Sequence, residues 1–109
     1  MNFNEYQMKA HETAIYPEQN ALPYVGLGVG NEAGELQGLF KKSLRGDFDK
    51  DFDGAFVTAV SKEIGDVLWY LAEICTVMGL NLNEVAVSNL LKLADRKERD
   101  VLKGSGDDR

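Results

Sequence analysis

The sequence predicts an all-α protein with four helices that associates with further copies of itself. Apolar residues recur at helical intervals along most of the 109 residues, whereas no stretch shows β alternation of useful length. One predicted helix, over residues 55–78, is apolar almost all round after Asp66. Such a helix needs cover on more than one side, and three other helices are too few to provide it. We therefore expect one domain over residues 1–109, assembled as a dimer or tetramer.

The first two helices are predicted from capping residues and prolines. Asn2 and Glu5 have the spacing of a capping box, which predicts a helix over residues 3–14. Pro23 suits the first turn of a second helix that runs to residue 43 or 44. The glycine-rich stretch at residues 26–30 leaves a loop as the alternative at the start of that helix. Glycines four apart then make a smooth strip for the close approach of a backbone or a ligand: Gly30, Gly34 and Gly38.

Similar signals bound the last two helices. A charged connector, residues 45–54, precedes helix three, and Gly79 is a typical stop for it. Asn81 and Glu84 form a second capping box, which opens a fourth helix that continues to about residue 102. Its predicted core side is Val87, Leu90, Leu91, Ala94 and Val101. Residues 104–109 have no apolar anchor, so we expect a flexible tail there.

Composition and charge exclude several classes of protein. A hydrophobic content of 44% with 28% charged residues is typical of a globular protein. The formal charge of −6 argues against nucleic acid and anionic membranes as general partners. The start of the chain is polar, unlike a signal peptide, and the longest apolar stretch is too short to span a bilayer. We expect a cytoplasmic protein in which Cys75, the only cysteine, is a buried apolar residue.

Two acidic pairs, Glu32 with Glu35 and Glu63 with Asp66, stand out within apolar surroundings. Residues three apart lie on the same side of a helix, so each pair can direct two carboxylates at one point. Glu32 falls in the inward stripe of helix two, together with Val25, Val29, Leu36 and Leu39. Four converging carboxylates repel one another and lose hydration, which is costly unless a cation neutralises them. Because all donors are oxygens, Mg²⁺ or Mn²⁺ suits the set better than zinc or iron.

A basic stripe on helix four offers a second interpretation of these acids. The stripe consists of Asn89, Lys92, Arg96, Arg99 and Lys103. Lys92 and Arg96 can neutralise the carboxylates through buried salt bridges, without any metal. The two interpretations are compatible, because a triphosphate places its anionic groups between the cations and a metal.

Three other features have competing interpretations. Residues 49–54 match the first half of an EF-hand calcium loop, but Val60 stands where the bidentate glutamate belongs, so we expect an acidic connector. Trp69 follows Asp66 by three residues, so its ring can stack on a base, or it fills the core or a subunit interface. His11 lacks the context of a catalytic triad, so we place it on a helix surface or, at most, at the edge of the pocket.

Three linked motifs, taken in order, resemble those of a known family. They are Glu32-Ala33-Gly34-Glu35-Leu36, Glu63-Ile64-Gly65-Asp66-Val67-Leu68-Trp69-Tyr70-Leu71 and Asn89-Leu90-Leu91-Lys92-Leu93-Ala94-Asp95-Arg96. This arrangement resembles the MazG-like nucleoside triphosphate pyrophosphohydrolases, within the all-α NTP pyrophosphatases. The resemblance implies an oligomeric four-helix core that hydrolyses an NTP or dNTP to the monophosphate and pyrophosphate, with cleaning of the nucleotide pool as the role.

The resemblance also implies residue roles. Glu32, Glu35, Glu63 and Asp66 would hold Mg²⁺, with Mn²⁺ as a substitute. The substrate would be bound by Asn89, Lys92 and Arg96, with Trp69 and Lys103 as further candidates. Several relatives carry an acid before the first motif glutamate, but this sequence has Asn31 there, which cannot accept a proton from water. Either Glu32 or Glu35 then doubles as ligand and base, or the metal suffices alone.

Two other classes of protein remain as alternatives. One is a non-catalytic helical protein that binds nucleotides or divalent ions and has lost turnover with the acid replaced by Asn31. The other is a helical interaction module whose acidic and basic stripes pair with each other.

Overall fold

The computed structural model describes residues 1–48 and 54–109, and these residues form α-helices, one 3₁₀ helix and connecting turns, with no strand. The helices are α1 at Phe3–His11, α2 at Ala21–Leu44, α3 at Gly54–Met78 and α4 at Leu82–Glu98. The 3₁₀ helix at Glu18–Asn20 joins α1 to α2. The predicted all-α, four-helix fold is confirmed.

The helix starts are close to those predicted, and the ends of α1 and α4 come earlier. The Asn2 side chain accepts a hydrogen bond from the Glu5 amide at 2.9 Å, which caps α1. α1 ends at His11, three residues before the predicted end at residue 14. Beyond it, the Thr13 hydroxyl donates to the Ala10 carbonyl at 2.7 Å. α4 ends at Glu98, four residues before the predicted end, and Asp100 follows with a φ of 57°. Residues 26–30 lie inside α2, so the loop alternative is wrong.

α3 is the central helix, because it contacts α1, α2 and α4. It comes so close to α2 at Gly28 that a methyl group there would collide with the ring of Tyr70. Around the three glycines of the predicted strip, by contrast, the described residues leave open space: Gly30, Gly34 and Gly38. The close contact within the chain is thus at Gly28, while the approach of a ligand or another backbone to the strip stays a prediction.

A small apolar core lies where α1, α3 and the start of α4 meet. It consists of Ala10, Ala72, Cys75 and Leu82, with Tyr6, Leu68 and Trp69 packed against it. The burial of Cys75 agrees with the prediction. After Gly79, which has a φ of 71°, the chain turns, and the Asn81 side chain accepts from the Glu84 amide at 2.9 Å. α4 then leaves at 105° to α3.

The predicted core side of α4 is largely exposed in the single chain, so that prediction is wrong for one copy. Leu90 and Leu91 are 67% and 66% exposed, and Val87 is 47% exposed. The reason is geometric, because α4 contacts α1 and α3 but no residue of α2 within the described chain. A stripe with the right helical spacing is therefore left largely uncovered by the described residues of its own chain.

The chain is extended for its length. Its radius of gyration is 17.0 Å, whereas a compact domain of this length has about 13 Å. Its accessible surface is 7999 Å², about 2,000 Å² more than is usual for a folded monomer of this mass. Both quantities agree with an open arrangement in which α2 and α4 contact α3 but not each other among the described residues.

Residues 104–109 fold back on the end of α4, where the Arg109 guanidinium donates to the carbonyls of Val101, Leu102 and Gly106.

Most of the EF-hand-like run, residues 49–53, lies outside the described residues. Taken singly, no described helix has the length and hydropathy to cross a membrane; α3 and α4 pass that test only as a bent pair.

Candidate active site

α2 and α3 bring three of the four motif carboxylates together. One oxygen each from Glu32, Glu63 and Asp66 lies within 4.8 Å of the others. Glu32 projects from the middle of α2, while Glu63 and Asp66 lie one turn apart on α3. The packing of α2 against α3 thus creates the cluster that the two acidic pairs predict.

The carboxylates of this cluster are poorly compensated. Glu32 Oε2 and Glu63 Oε2 are buried, and neither has a hydrogen-bond partner among the described residues. Loss of hydration raises the pKa of both carboxyl groups, and the charges of Glu35 and Asp66 raise the pKa further. Lys42 is the cation that opposes this effect, at Glu63. The cluster therefore holds negative charge that the described residues around it offset only in part, through Lys42.

These observations test whether a divalent cation suits the site. Three carboxylate oxygens stand close enough to share one ion, and two carboxylates present unpaired buried oxygens to it. An all-oxygen set is the preference of hard ions such as Mg²⁺ and Mn²⁺. The residues fit such an ion, which would remove the repulsion that raises the pKa of Glu32 and Glu63.

Glu35 differs from the other three acids. Its side chain is exposed and is not part of the group whose oxygens lie within 4.8 Å. Its charge nevertheless contributes to the raised pKa of Glu32 and of Glu63, so it lies beside the cluster. Glu35 also shares a side-chain hydrogen bond with Glu63, so it lies against the three gathered carboxylates while its exposed side is open to water or substrate.

Three tyrosines form an aromatic wall that begins at the acids. Glu32 and Asp66 add to the raised pKa of Tyr70, after burial and contact with Tyr24. The ring centroids of Tyr70 and Tyr24 are 6.3 Å apart, and those of Tyr24 and Tyr16 are 5.1 Å apart. We call Tyr16, Tyr24 and Tyr70 the aromatic wall. It leads from the carboxylates towards the end of α1.

Trp69 packs against α1. Its indole N–H donates to Thr13 Oγ1 at 2.8 Å and to the Ala10 carbonyl at 3.2 Å, and its ring meets Tyr16 edge to face. These contacts account for Trp69 as a residue that joins α1 to α3. A role in stacking on a base stays a prediction.

The basic stripe of α4 has a different set of partners from the one predicted by the salt-bridge interpretation. Lys92 Nζ lies 2.8 Å from Asp107 Oδ1, and the buried guanidinium of Arg96 donates to the Asp107 carbonyl and carboxylate. Neither cation is among the charges that shift the pKa of Glu32 or Glu63. Asn89 and Lys103 are exposed. Among the described residues of one chain, the acids and these cations thus do not pair.

A buried polar group that the sequence analysis did not single out is Glu73 on α3. Its carboxylate accepts from the Tyr16 hydroxyl at 2.6 Å and lies 3.1 Å from His11 Nδ1. The available signal was a lone acid in an apolar run, seven residues after Asp66 and so on the same side of the helix.

These helices and gathered carboxylates define an all-α protein with a candidate site for a divalent cation. The model of the family described as the MazG nucleotide pyrophosphohydrolase domain matches residues 26–100. The chain is also 39% identical to the Gene 37 protein of Mycobacterium phage L5 over 119 aligned residues, with 100% of both chains covered. No solved structure matches. The chain belongs to the MazG nucleotide pyrophosphohydrolase family, as the three motifs predicted.

Proposed function

We propose that this protein hydrolyses a nucleoside or deoxynucleoside triphosphate to the monophosphate and pyrophosphate, in a reaction that depends on Mg²⁺. The observation that carries the proposal is the cluster of Glu32, Glu63 and Asp66, with two buried oxygens that have no partner among the described residues. Family membership supports the reaction class, since the family is described by nucleotide pyrophosphohydrolysis.

In this proposal the three clustered carboxylates hold the ion, and Glu35 acts on water. A bound Mg²⁺ supplies positive charge beside the phosphates and makes a nearby water more acidic. Glu35 is the acid left outside the cluster and is exposed, so it accepts the proton of the attacking water. The water oxygen bonds to the α-phosphorus, and the bond from that phosphorus to the bridging oxygen breaks, which releases pyrophosphate.

Lys92 and Arg96 are the proposed partners of the phosphates. Both already hold an anionic group, the carboxylate of Asp107, which shows that the pair can share one acidic ligand. Lysine and arginine neutralise phosphates, as they do carboxylates, through charge-assisted hydrogen bonds from nitrogen to anionic oxygen. We assign contact with the sugar or phosphates to Asn89, because it is three residues before Lys92 and so on the same side of α4.

Asp107 competes with the substrate in this arrangement. Asp107→Asn should therefore lower KM about two- to fivefold with little change in kcat, the effect expected of a mostly exposed ion pair. Steady-state kinetics at constant ionic strength measure it. Asp108→Asn is the matched control, because it removes the same charge from the neighbouring residue while Asp107 keeps its contacts with Lys92 and Arg96. An unchanged or raised KM in Asp107→Asn would place the phosphates elsewhere.

We further propose that the protein works as a homo-oligomer, a dimer or tetramer, without nucleic acid or membrane partners. The excess surface of about 2,000 Å² per chain would give an interface of about 4,000 Å² in a dimer, which is the range of obligate complexes. The exposed apolar stripe of α4 is the part of the chain that such an interface would cover. We include in this proposal that α4 of one copy lies near the acids of another, since the cations of α4 do not reach the acids of their own chain among the described residues.

The metal-free protein should lose stability as pH rises, through Glu32. Burial and neighbouring acids raise the pKa of Glu32 above 4.5, so its stabilising contribution is present below pH 4.5 and lost as pH passes the folded pKa. Glu32→Gln should accordingly raise Tm at pH 8 in EDTA and leave it nearly unchanged at pH 4.5. Thermal unfolding of both proteins at the two pH values measures the difference. An equal shift in Tm at pH 4.5 and pH 8 would mean that folding does not raise the pKa of Glu32.

A panel of NTPs, dNTPs and modified nucleotides, with and without Mg²⁺, tests the function directly. We expect equal amounts of pyrophosphate and monophosphate, and only when Mg²⁺ is present. The presence of Asn31 favours one alternative, a protein that binds nucleotides without turnover. Thermal stabilisation by nucleotides with no pyrophosphate from any of them would establish that alternative and refute the proposal.

A further inference from the structure

A polar cluster at the end of α1 is not used by the proposed reaction. Glu73 on α3 is completely buried. Its Oε1 accepts from the Tyr16 hydroxyl and lies next to His11 Nδ1, while its Oε2 has no hydrogen-bond partner among the described residues. A carboxylate is seldom buried in this way for packing alone, because an apolar residue would fill the space at lower cost.

His11 and Tyr16 also line a cavity of about 600 Å³, which is within the range of small-molecule pockets. The cavity lies between the end of α1, the 3₁₀ helix, the start of α2 and the end of α3. Glu18 adds a carboxylate to its wall, and no lysine or arginine is among the described residues that line it. Such a wall does not suit phosphate groups, so the cavity suits a neutral or positively polarised part of a ligand.

The hydrogen bonds to Glu73 determine what this wall can offer. A carboxylate only accepts hydrogen bonds, so the neutral imidazole of His11 donates to Glu73 from Nδ1 and keeps a lone pair on Nε2. The Tyr16 hydroxyl likewise donates its hydrogen bond to Glu73, and burial together with this contact raises the pKa of Tyr16. The groups left for a ligand are acceptors: His11 Nε2, the Tyr16 oxygen and the Glu18 carboxylate.

The cavity is correctly placed for the far end of a nucleotide. Glu73 follows Asp66 by seven residues, so the two lie on the same side of α3, about 10 Å apart along the helix axis. The aromatic wall runs along the same path, from Tyr70 beside the acids to Tyr16 at the cavity. Aromatic faces of this kind are where the flat rings of bases stack.

We propose that this cavity receives the base of the nucleotide and that His11 selects bases with an exocyclic amino group. The inference rests on the proposed function and names its substrate class. An amino group donates to His11 Nε2 and to Glu18. The oxygen of an oxo group is itself an acceptor, so it would be repelled by the lone pairs of these two residues. Glu73 is a positioning residue, since it acts through His11 and Tyr16.

Matched substrates that differ between amino and oxo at one ring position test the selection: CTP against UTP, and ATP against ITP. The unmodified protein should favour the amino member of each pair about tenfold in kcat/KM, the worth of one good hydrogen bond. His11→Asn keeps a side-chain N–H for Glu73 but lacks Nε2. It should lose this preference through a higher KM for CTP and ATP, with kcat and Tm close to those of the unmodified protein.

Two further variants complete the test. His11→Gln reaches the position of Nε2 with an amide and should restore part of the preference, which a purely structural role of His11 would not predict. Lys9→Ala, on an exposed part of α1, should change neither ratio.

Equal kcat/KM values within both pairs, a preference for the oxo members, or an unchanged ratio in His11→Asn would overturn the inference while hydrolysis itself continued. Failure to release pyrophosphate from any nucleotide would instead refute the proposed function.

Discussion

Glu63→Gln should lower kcat/KM for nucleotide hydrolysis about 10²–10³-fold, the usual loss when one electrostatic stabiliser is removed from an active site. It should also weaken Mg²⁺ binding, because Glu63 supplies one of the three gathered oxygens and one of the unpaired buried ones. Without metal, the variant should be at least as stable as the unmodified protein at pH 8, since the change removes a carboxylate whose pKa is raised by burial and by Glu35 and Asp66. Pyrophosphate release and Mg²⁺ titration of Tm measure the two effects.

Glu35→Gln is the matched comparison, because the two residues lie side by side and undergo the same change. If Glu35 is the base, kcat falls about 10²–10⁴-fold while the affinity for Mg²⁺ stays near that of the unmodified protein. Equal loss of Mg²⁺ affinity in both variants would make Glu35 a fourth ligand. Full activity in both would show that the acidic motifs do not form an active site.

The parts of this structure that depend on local interactions could be predicted from the sequence. The caps at Asn2 and Asn81 are hydrogen bonds between residues three positions apart in the chain, so the sequence spacing alone predicts them. The acidic pairs could be predicted for a related reason: each pair shares one side of a helix, and Glu32 falls in a stripe of apolar residues. Convergence of the two pairs then required only that α2 and α3 pack together.

The parts that depend on tertiary geometry could not be predicted. The stripe with Leu90 and Leu91 has the spacing of a core face, but which neighbour covers it depends on the direction of α4 after the turn at Gly79. Which glycine meets α3 depends on a rotation about the axis of α2, so Gly28 was missed. Glu73 was missed because its partners, His11 and Tyr16, are 62 and 57 residues away in the chain.

Leu91→Glu should dissociate the proposed oligomer and reduce activity as a result. In an isolated chain this change would cost little, because Leu91 is 66% exposed and such surface substitutions usually fall within about 0.5 kcal/mol. In a twofold dimer it removes two buried leucines, each worth about 1.5–3 kcal/mol, so the dissociation constant should rise about 10²–10⁴-fold. Light scattering across a concentration series measures the mass. Ile15→Glu, at a position 96% exposed outside α4, is the control.

Mixing two variants, each of which lacks one proposed part of the site and should be impaired, then tests whether copies share a site. If α4 of one copy supplies Lys92 to the acids of another, an Asp66→Asn chain mixed with a Lys92→Ala chain assembles some sites in which all of these groups are intact. Activity should then reappear in the mixture and should depend on exchange of subunits. Mixtures that stay as inactive as their components would show that each chain brings its own cations to its own acids. A Leu91→Glu chain that remains fully active as a monomer would exclude sharing altogether, since the carboxylates of α2 and α3 would then suffice with the cations of the same α4.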